Sequence, residues 1–295
     1  MTTGDLPADL TPLDGGWSGE SFLAEAGGER TVVRIFADAR HSPHAAEIQE
    51  ALHRLVRGLV PVPDVVEVRR ADPSADTPGL LVTDFVEGVR GDLLLPSLPD
   101  SSLAVVGERL GRIAATLAGM PFLSSGTFVD GGLRVSPFTV DLVDWLAEHE
   151  AALGWEPALV DGLREVADEA QVRLDSVSRV SLVHSDLNPK NVLVHPGTLQ
   201  ISAVLDWEYT HAGHPYADLG NLLRFDRQKA YADAVLRGFC ALRGGSEAQA
   251  LGLARSADLV ALIELASRRN ANPVAARAYE HLTAIARSGD IHAAP

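Results

Sequence analysis

Two short apolar runs in the second half of the chain each end in polar side chains, and this pattern constrains the fold most. The first run lies in Leu182–Val194, which reads LVHSDLNPKNVLV, and the second in Gln200–Tyr209, which reads QISAVLDWEY. Apolar runs of this length are typical of short buried strands. The polar side chains that break or follow them are His184, Asp186, Asn191, Asp206 and Glu208.

The first run carries a spacing that points to a particular chemistry. His184, Asp186 and Asn191 fit H-x-D-x-x-x-x-N, a form of the catalytic loop of kinases. Phosphoryl transfer needs a carboxylate that orients the acceptor hydroxyl, and Asp186 can supply it. It also needs Mg²⁺, a hard cation that prefers oxygen ligands such as those of Asn191 and Asp206. His184 is expected to brace the loop by hydrogen bonding.

An ordinary turn is the alternative explanation of the same residues. Asp186, Asn188 and Asn191 surround a proline, and such residues are common between strands. A lone histidine such as His184 is more often structural than catalytic. The joint occurrence of the loop spacing, the apolar flanks and a second strand ending in Asp206 favours a phosphoryl-transfer site.

The segment HSDLNPKNVLV, followed by VLDWEYTHAGHPYADLGNLL, resembles the catalytic loop and metal-binding segment of the aminoglycoside phosphotransferase family. These are small-molecule kinases with a protein-kinase-like fold. The order of elements is similar from about Leu10 to Arg287. The resemblance implies an α+β, bilobal fold, in which an N-terminal antiparallel β-sheet lobe with one helix precedes a larger, mainly helical C-terminal lobe. It also implies ATP and Mg²⁺ as cofactors.

Roles for the C-terminal motif residues follow from that resemblance. Asp186 is implied to be the catalytic base, and Asn191 and Asp206 to hold Mg²⁺. Asp218 resembles a family aspartate that buttresses the catalytic loop from the start of a helix, although a helix N-cap would look the same. Glu208 follows the metal ligand and could face either the substrate or solvent.

The order of predicted elements divides the chain into a flexible N-terminus (1–9), an ATP-binding lobe (10–86) and a catalytic and substrate-binding lobe (87–295). Leu10–Phe36 is expected to form three antiparallel strands, and further strands are expected over Val62–Val68 and Gly79–Val86. Helices are expected over His44–Leu59, Leu103–Met120, Val140–Leu153, Ala158–Ser176, Tyr231–Leu242, Glu247–Arg268 and Val274–Arg287.

A glycine-rich turn between the first two strands is a candidate phosphate-binding loop. Glycines let backbone N–H groups approach phosphates closely, although a hairpin turn also requires them. The turn fits neither G-x-G-x-x-G nor the P-loop pattern, and position and resemblance favour a role in nucleotide binding. Its residues are Gly15, Gly16, Ser18 and Gly19.

Arg34, in VVRIF, stands where a kinase usually has a lysine on its third strand. The resemblance makes Arg34 the cation that contacts phosphate and Glu47 its partner, with Glu50 as the alternative partner; an exposed arginine on a half-buried strand would look similar. Arginine keeps its charge and binds phosphate through two nitrogens, but it is longer than lysine. Thr83–Val86 resembles the hinge between lobes, so Asp84, Phe85 and Val86 are candidate contacts of the adenine edge.

The acceptor is expected to be a small molecule rather than a protein. Asp206 is followed almost at once by His214 and Asp218, which leaves no room for the activation segment of protein kinases. Asp141–Arg179 contains ten acidic and three basic residues, which suits either a cationic substrate such as an aminoglycoside or solvated helix faces. Sugars, amino alcohols and amino acids are alternative substrates. A metal-dependent hydrolase and a nucleotide-binding pseudokinase are the competing classes.

Composition excludes several other functions. The net charge of −15 argues against nucleic-acid binding, which requires an excess of Lys and Arg. The single cysteine, Cys240, excludes an internal disulfide framework. No apolar run approaches the roughly 18 residues of a membrane span, so we expect a cytoplasmic protein that does not bind membranes.

Overall fold

The computed structural model describes residues 9–13, 21–38, 40–225 and 228–294. The chain forms two compact units. The first comprises Met1–Ser97, Thr127–Ser136 and Pro189–Tyr209, and the second comprises Leu98–Gly126, Pro137–Asn188 and Thr210–Pro295. Within the described residues, no helix combines the length and apolar character needed to cross a membrane.

Each of the seven helices expected from the sequence is present, with ends that differ by a few residues. The expected hydrophobic periodicity therefore identified these elements correctly. In chain order, the strands and helices are β1 (Asp9–Pro12), β2 (Ser21–Ala26), β3 (Glu29–Phe36), α1 (Ala45–Val56), β4 (Val65–Arg69), β5 (Gly79–Asp84), β6 (Val89–Arg90), α2 (Gly91–Leu94), α3 (Asp100–Leu117), β7 (Pro121–Phe122), β8 (Gly126–Phe128), β9 (Val135–Pro137), α4 (Leu142–Leu153), α5 (Pro157–Asp175), β10 (Val180–Val183), β11 (Val192–Val194), β12 (Ile201–Val204), β13 (His211–Gly213), α6 (Ala217–Leu223), α7 (Lys229–Arg243), α8 (Glu247–Ser267) and α9 (Pro273–Ser288).

The first unit is built on an antiparallel sheet in the order β1-β2-β3-β5-β4. The antiparallel arrangement of three strands predicted for Leu10–Phe36 is confirmed. The register places Arg34 of β3 opposite Ser21 of β2 and Leu81 of β5. A small core of Phe36, Ala46 and Leu81 joins this sheet to α1.

The apolar spacing of α1 predicts a buried face of Ile48, Leu52, Leu55 and Val56, and the structure buries only part of it. The apolar pattern predicted that Leu55 would face the core, but the residue is 40% exposed. The predicted and observed faces share Leu52 and Val56, and the observed face also includes two polar residues. Because hydrophobic periodicity counts only apolar side chains, it could not find that face. The buried residues of α1 are Ala46, Gln49, Leu52, His53 and Val56.

The second unit is a helical assembly around α8. Buried residues of α4, α5, α8 and α9 form one large hydrophobic cluster. Helix α8 is buried on most of its circumference, as expected for a helix surrounded by others. Helix α6 also packs against α8, which connects the residues around Asp218 to this core.

Helices α3 and α7 approach each other closely through glycines. A Cβ atom added to Gly111 would lie 2.0 Å from the Val235 carbonyl oxygen, and one added to Gly238 would lie 2.2 Å from the Glu108 carbonyl oxygen. Only glycine permits backbones to pack at this distance. The glycines of these two helices therefore determine how tightly the helices pack.

Candidate active site

Asp218 holds the backbone of the predicted catalytic loop. Its two carboxylate oxygens accept hydrogen bonds from the His184 and Ser185 N–H groups, both at 2.9 Å. One turn further along α6, the Asn221 side-chain amide donates to the Ser185 carbonyl oxygen at 2.9 Å. Two side chains of α6 therefore fix the backbone immediately before Asp186.

Burial changes the acidity of this support. Asp218 is only 3% exposed. Burial raises the pKa of its carboxyl to about 6, the two hydrogen bonds from His184 and Ser185 oppose that shift, and the nearby charge of Asp186 adds to it. Asp218 thus titrates far closer to neutrality than an ordinary aspartate.

Asp186 is itself oriented by two neighbours. The Asn188 side-chain amide donates to Asp186 Oδ1 at 2.6 Å, and the Asp186 N–H donates to Nδ1 of His184 at 3.3 Å. His184 is fully buried, whereas Asp186 is partly exposed. The Asp186 carboxylate therefore has a defined orientation and is accessible to an acceptor hydroxyl. Asn188 orients it, a role that the sequence did not predict.

The candidate metal residues lie in the first unit, because the boundary between the units falls between Asn188 and Pro189. Strands β11 and β12 pair antiparallel, and the Leu205 N–H donates to the Asn191 carbonyl oxygen at 2.8 Å. This bond holds the residue before Asp206 beside Asn191. The two side chains offer one amide and one carboxylate oxygen, which fit the oxygen preference of Mg²⁺.

Backbone strain marks two positions of the candidate site. Ser185, just before Asp186, has φ = 72°, and Asp206 has φ = 65°. Residues other than glycine adopt these left-handed values at a cost, somewhat smaller for aspartate, and such strain concentrates at functional sites. The Ser185 N–H is held by Asp218, and the Asp206 carboxylate is held by Arg34. The strained positions therefore lie directly before Asp186 and at Asp206 itself.

Trp207 anchors the segment between Asp206 and Glu208, and sequence analysis did not identify it. Its side chain is 1% exposed, and its Nε1 donates to the Val204 carbonyl oxygen at 3.0 Å. The ring meets His53 of α1 edge-on, with ring centroids 6.1 Å apart. Burial lowers the pKa of His53, whose Nδ1 lies 3.1 Å from the Pro63 carbonyl oxygen. An alternation of polar and aromatic residues in LDWEY was the only available signal.

The ion pair predicted between Arg34 and Glu47 is wrong. Arg34 Nη1 instead lies 2.7 Å from Asp206 Oδ1, and Nη2 lies 2.5 Å from Glu208 Oε2. Glu47 pairs with Arg70 at 2.8 Å and with His44 at 3.0 Å. Among the residues that the structure describes, no ion pair joins Arg34 to Glu47, because the first turn of α1 directs Glu47 toward the loop after β4.

The alternative partners considered from the sequence also have other contacts. Glu50, the other residue considered for Arg34, pairs with Arg54 on its own helix. Glu208 was expected to face substrate or solvent, but its side chain is only 16% exposed and contacts Arg34. His41 Nε2 lies 3.5 Å from the same carboxylate oxygen. Glu208 therefore belongs to an ion-pair network with Arg34 and Asp206.

Two of the predicted hinge residues donate their backbone N–H groups to other residues of the first unit. The Asp84 N–H donates to the Asp64 carbonyl oxygen at 3.0 Å, and the Phe85 N–H donates to the Arg30 carbonyl oxygen at 3.2 Å. Val86 remains a predicted contact of an adenine edge. The candidate phosphate-binding residues lie outside the described residues, namely Gly15, Gly16, Ser18 and Gly19.

A buried ion pair beyond the loop was also missed from the sequence. Arg224, which follows α6, donates through Nε and Nη2 to the Asp258 carboxylate of α8 at 2.7 to 3.1 Å. The two side chains are 9% and 1% exposed. The pair connects the C-terminal end of α6 to α8, the central helix of the second unit. Asp218 lies in the first turn of the same helix α6.

Comparison with known families finds one that matches most of the chain. The sequence pattern of the phosphotransferase enzyme family, also called APH, matches residues 9–251. The chain belongs to this family. Its α+β fold, a sheet-rich part followed by a mainly helical part, is the one expected of a phosphotransferase of this kind.

Curated relatives of this phosphotransferase family member fall into two groups. The chain is 23% identical over 238 residues to acyl-CoA dehydrogenase family member 10 of Mus musculus, a match that covers 79% of this chain and 22% of that protein. It is 32% identical over 177 residues to aminoglycoside 3'-phosphotransferase of Streptomyces fradiae, covering 58% and 60% of the two proteins. The chain thus spans less than a third of its acyl-CoA dehydrogenase relatives, with 27% of the human family member 11 matched.

Solved structures share the fold over nearly the whole chain. A microcompartment-associated aminopropanol kinase superposes with a TM-score of 0.68 at 21% identity, covering 95% of this chain and 92% of that one. A thermostable mutant of the aminoglycoside phosphotransferase APH(4)-Ia, in complex with AMP-PNP and hygromycin B, has a TM-score of 0.66 at 20% identity, covering 95% and 94%. At these identities the likeness concerns the fold.

Proposed function

We propose that the protein is an ATP-dependent kinase that transfers the γ-phosphoryl group to a hydroxyl of a small molecule. The observation that carries this proposal is the oriented Asp186, whose carboxylate is held by Asn188. The backbone just before it, at His184 and Ser185, is held by Asp218. A turn without catalytic duty would not need a buried aspartate, a strained Ser185 and a side-chain hydrogen bond to one carboxylate oxygen.

In the proposed reaction, the hydroxyl oxygen of the acceptor bonds to the γ-phosphorus while the bond between that phosphorus and ADP breaks. Asp186 accepts the proton that the hydroxyl loses. Asn191 and Asp206 would hold Mg²⁺, which neutralises phosphate charge when bound. Arg34 would contact phosphate oxygens through its guanidinium. Asp218, His184 and Asn221 maintain the loop and do not react.

An acceptor that carries both an amine and a hydroxyl is the favoured substrate class. Proteins of this fold include an aminopropanol kinase, whose named substrate carries an amine and a hydroxyl, and an aminoglycoside phosphotransferase in complex with hygromycin B. The net charge of −15 also favours cationic partners over anionic ones. Sugars without an amine are second choices, as are hydroxy amino acids, whose carboxylate adds a negative charge.

The acidic stretch Asp141–Arg179 adds little to the choice of substrate. Asp144, Glu148 and Asp168 are exposed on α4 and α5, and Arg164 pairs locally with Glu150 and Asp161. These positions suit solvated helix faces, where charges interact weakly. The exposed charges of this region therefore do not favour one substrate class over another.

A phosphoryl-transfer screen tests the proposal. Purified protein is incubated with Mg-ATP and a panel of amino alcohols, aminoglycosides, sugars and amino acids, and ADP release is compared with ³¹P NMR of the product. Asp186→Ala should lower kcat by about a hundredfold or more while leaving ATP affinity near that of wild type. Asp168→Ala, an exposed substitution on α5, is the matched control.

The competing classes give different outcomes in the same screen. ATP binding without turnover across the whole panel would indicate a pseudokinase, for which the arginine at position 34 is the only support. Hydrolysis of phosphate esters that needs no nucleotide would indicate a metal-dependent hydrolase. Full activity of Asp186→Ala would contradict the assignment of the base.

A further inference from the structure

Arg34 is held at both ends of its guanidinium fork by carboxylates of one short segment. Nη1 meets Asp206 at 2.7 Å and Nη2 meets Glu208 at 2.5 Å. All three side chains are partly buried, with exposures of 14%, 28% and 16%. Charge-assisted bonds of this kind are stronger in such surroundings than at the surface.

The two carboxylates differ in what else they must do. In the proposed function Asp206 is needed by Mg²⁺, so its bond to Arg34 competes with the metal. The proposed function assigns Glu208 no metal, and its carboxylate also lies 3.5 Å from His41 Nε2. Glu208 can therefore keep hold of Arg34 while Asp206 is engaged elsewhere.

We propose that Glu208, rather than Glu47 of α1, is the positioning residue that holds Arg34 ready for a nucleotide phosphate. The inference rests on the proposed function, because it names how the phosphate-contacting cation of that same site is held. It places the anchor of Arg34 two residues after the metal ligand, on the segment fixed by Trp207 and not on the helix.

This arrangement accounts for an arginine at the strand position where lysine is usual. A lysine ammonium is a single point charge, whereas the guanidinium presents separate nitrogens to separate acceptors. Arg34 can release Asp206 through Nη1 and remain held by Glu208 through Nη2. It also frees Glu47, whose carboxylate serves Arg70 and His44.

Nucleotide binding measured by calorimetry tests the inference. AMP-PNP is titrated into wild type and variants, once with Mg²⁺ and once with EDTA. Glu208→Gln should raise the Kd about tenfold in both conditions, because the Arg34 contact with phosphate does not require metal. The Kd of Glu47→Gln should stay within about twofold of wild type. The same is expected of Glu50→Gln, which removes one charge of the Glu50–Arg54 pair on the same helix.

Kinetics and a second substitution separate positioning from a merely structural effect. Glu208→Gln should raise KM for ATP and leave KM for the acceptor unchanged. Glu208→Asp keeps the charge and should recover part of the lost affinity. Adding Glu208→Gln to the Arg34→Lys variant should lower nucleotide affinity by a smaller factor than adding it to wild type, because Arg34 and Glu208 act through one contact.

Several results would overturn the inference. One is a loss of AMP-PNP affinity in Glu47→Gln that equals or exceeds the loss in Glu208→Gln. Another is unchanged AMP-PNP affinity in both variants. A loss in Glu208→Gln that disappears in EDTA would make Glu208 a metal ligand instead. If wild type binds no AMP-PNP at all, the proposed function fails with it, whereas binding that ignores Glu208 overturns the inference alone.

Discussion

Replacing Asp218 with asparagine isolates the support of the catalytic loop. The carboxylate accepts two backbone hydrogen bonds, from His184 and Ser185, at 2.9 Å each. Asparagine offers one acceptor oxygen, so its amide group would meet the second N–H donor. Leaving one buried N–H without an acceptor costs about 1–3 kcal/mol. Activity should also fall, because Asp186 directly follows His184 and Ser185, whose backbone would lose a hydrogen bond.

The pH dependence gives this prediction its sharper form. The pKa of the Asp218 carboxyl is raised from 3.8 to about 6 in the folded protein. The folded chain therefore holds this proton more tightly than the unfolded chain, and the resulting stabilisation is complete below pH 3.8 and lost as the pH rises through about 6. The shift corresponds to on the order of 3 kcal/mol in total. Asparagine does not titrate, so the variant lacks this contribution.

Urea unfolding, followed by the fluorescence of the four tryptophans, measures the effect. Between about pH 7.5 and about pH 5, the stability of wild type relative to Asp218→Asn should rise by on the order of 1 kcal/mol. Asp168→Asn, exposed on α5, should stay within about 0.5 kcal/mol of wild type at both pH values. A stability difference that is independent of pH, or that grows as the pH rises, would refute the raised pKa.

Two further substitutions test the helix packing and the metal segment. Gly111→Ala puts a Cβ 2.0 Å from the Val235 carbonyl oxygen, so it should lower the free energy of unfolding by about 2 kcal/mol or more, whereas Gly252→Ala, with open space on α8, should be neutral or stabilising. Equal stability of the two variants in urea unfolding would contradict the close approach. Asp206→Ala should raise the Mg²⁺ concentration needed for half-maximal nucleotide binding by about tenfold or more, and an unchanged calorimetric Mg²⁺ titration would remove Asp206 from the metal site.

Local patterns in the sequence predicted the elements well where one face of each is apolar. The helices α3, α4, α5, α7 and α9 follow from their periodicity, and the antiparallel pairing of β1, β2 and β3 follows from closely spaced turns. The catalytic-loop spacing predicts roles for Asp186 and Asn191, because a few residues of fixed spacing suffice to define such a loop. The buried face of α1 was only partly predicted, since Gln49 and His53 are polar and packed inward.

The sequence by itself determined which chemical groups this protein carries and the order in which its elements follow one another, because spacing and periodicity are local properties of the chain. The tertiary structure alone decided which charges meet. Arg34 and Glu208 are 174 positions apart, and no local pattern distinguishes Glu208 from Glu47 as the partner of Arg34. An ion pair depends on distances of a few ångströms, and those distances arise only once the strand of Arg34 and the segment anchored by Trp207 have packed within one unit.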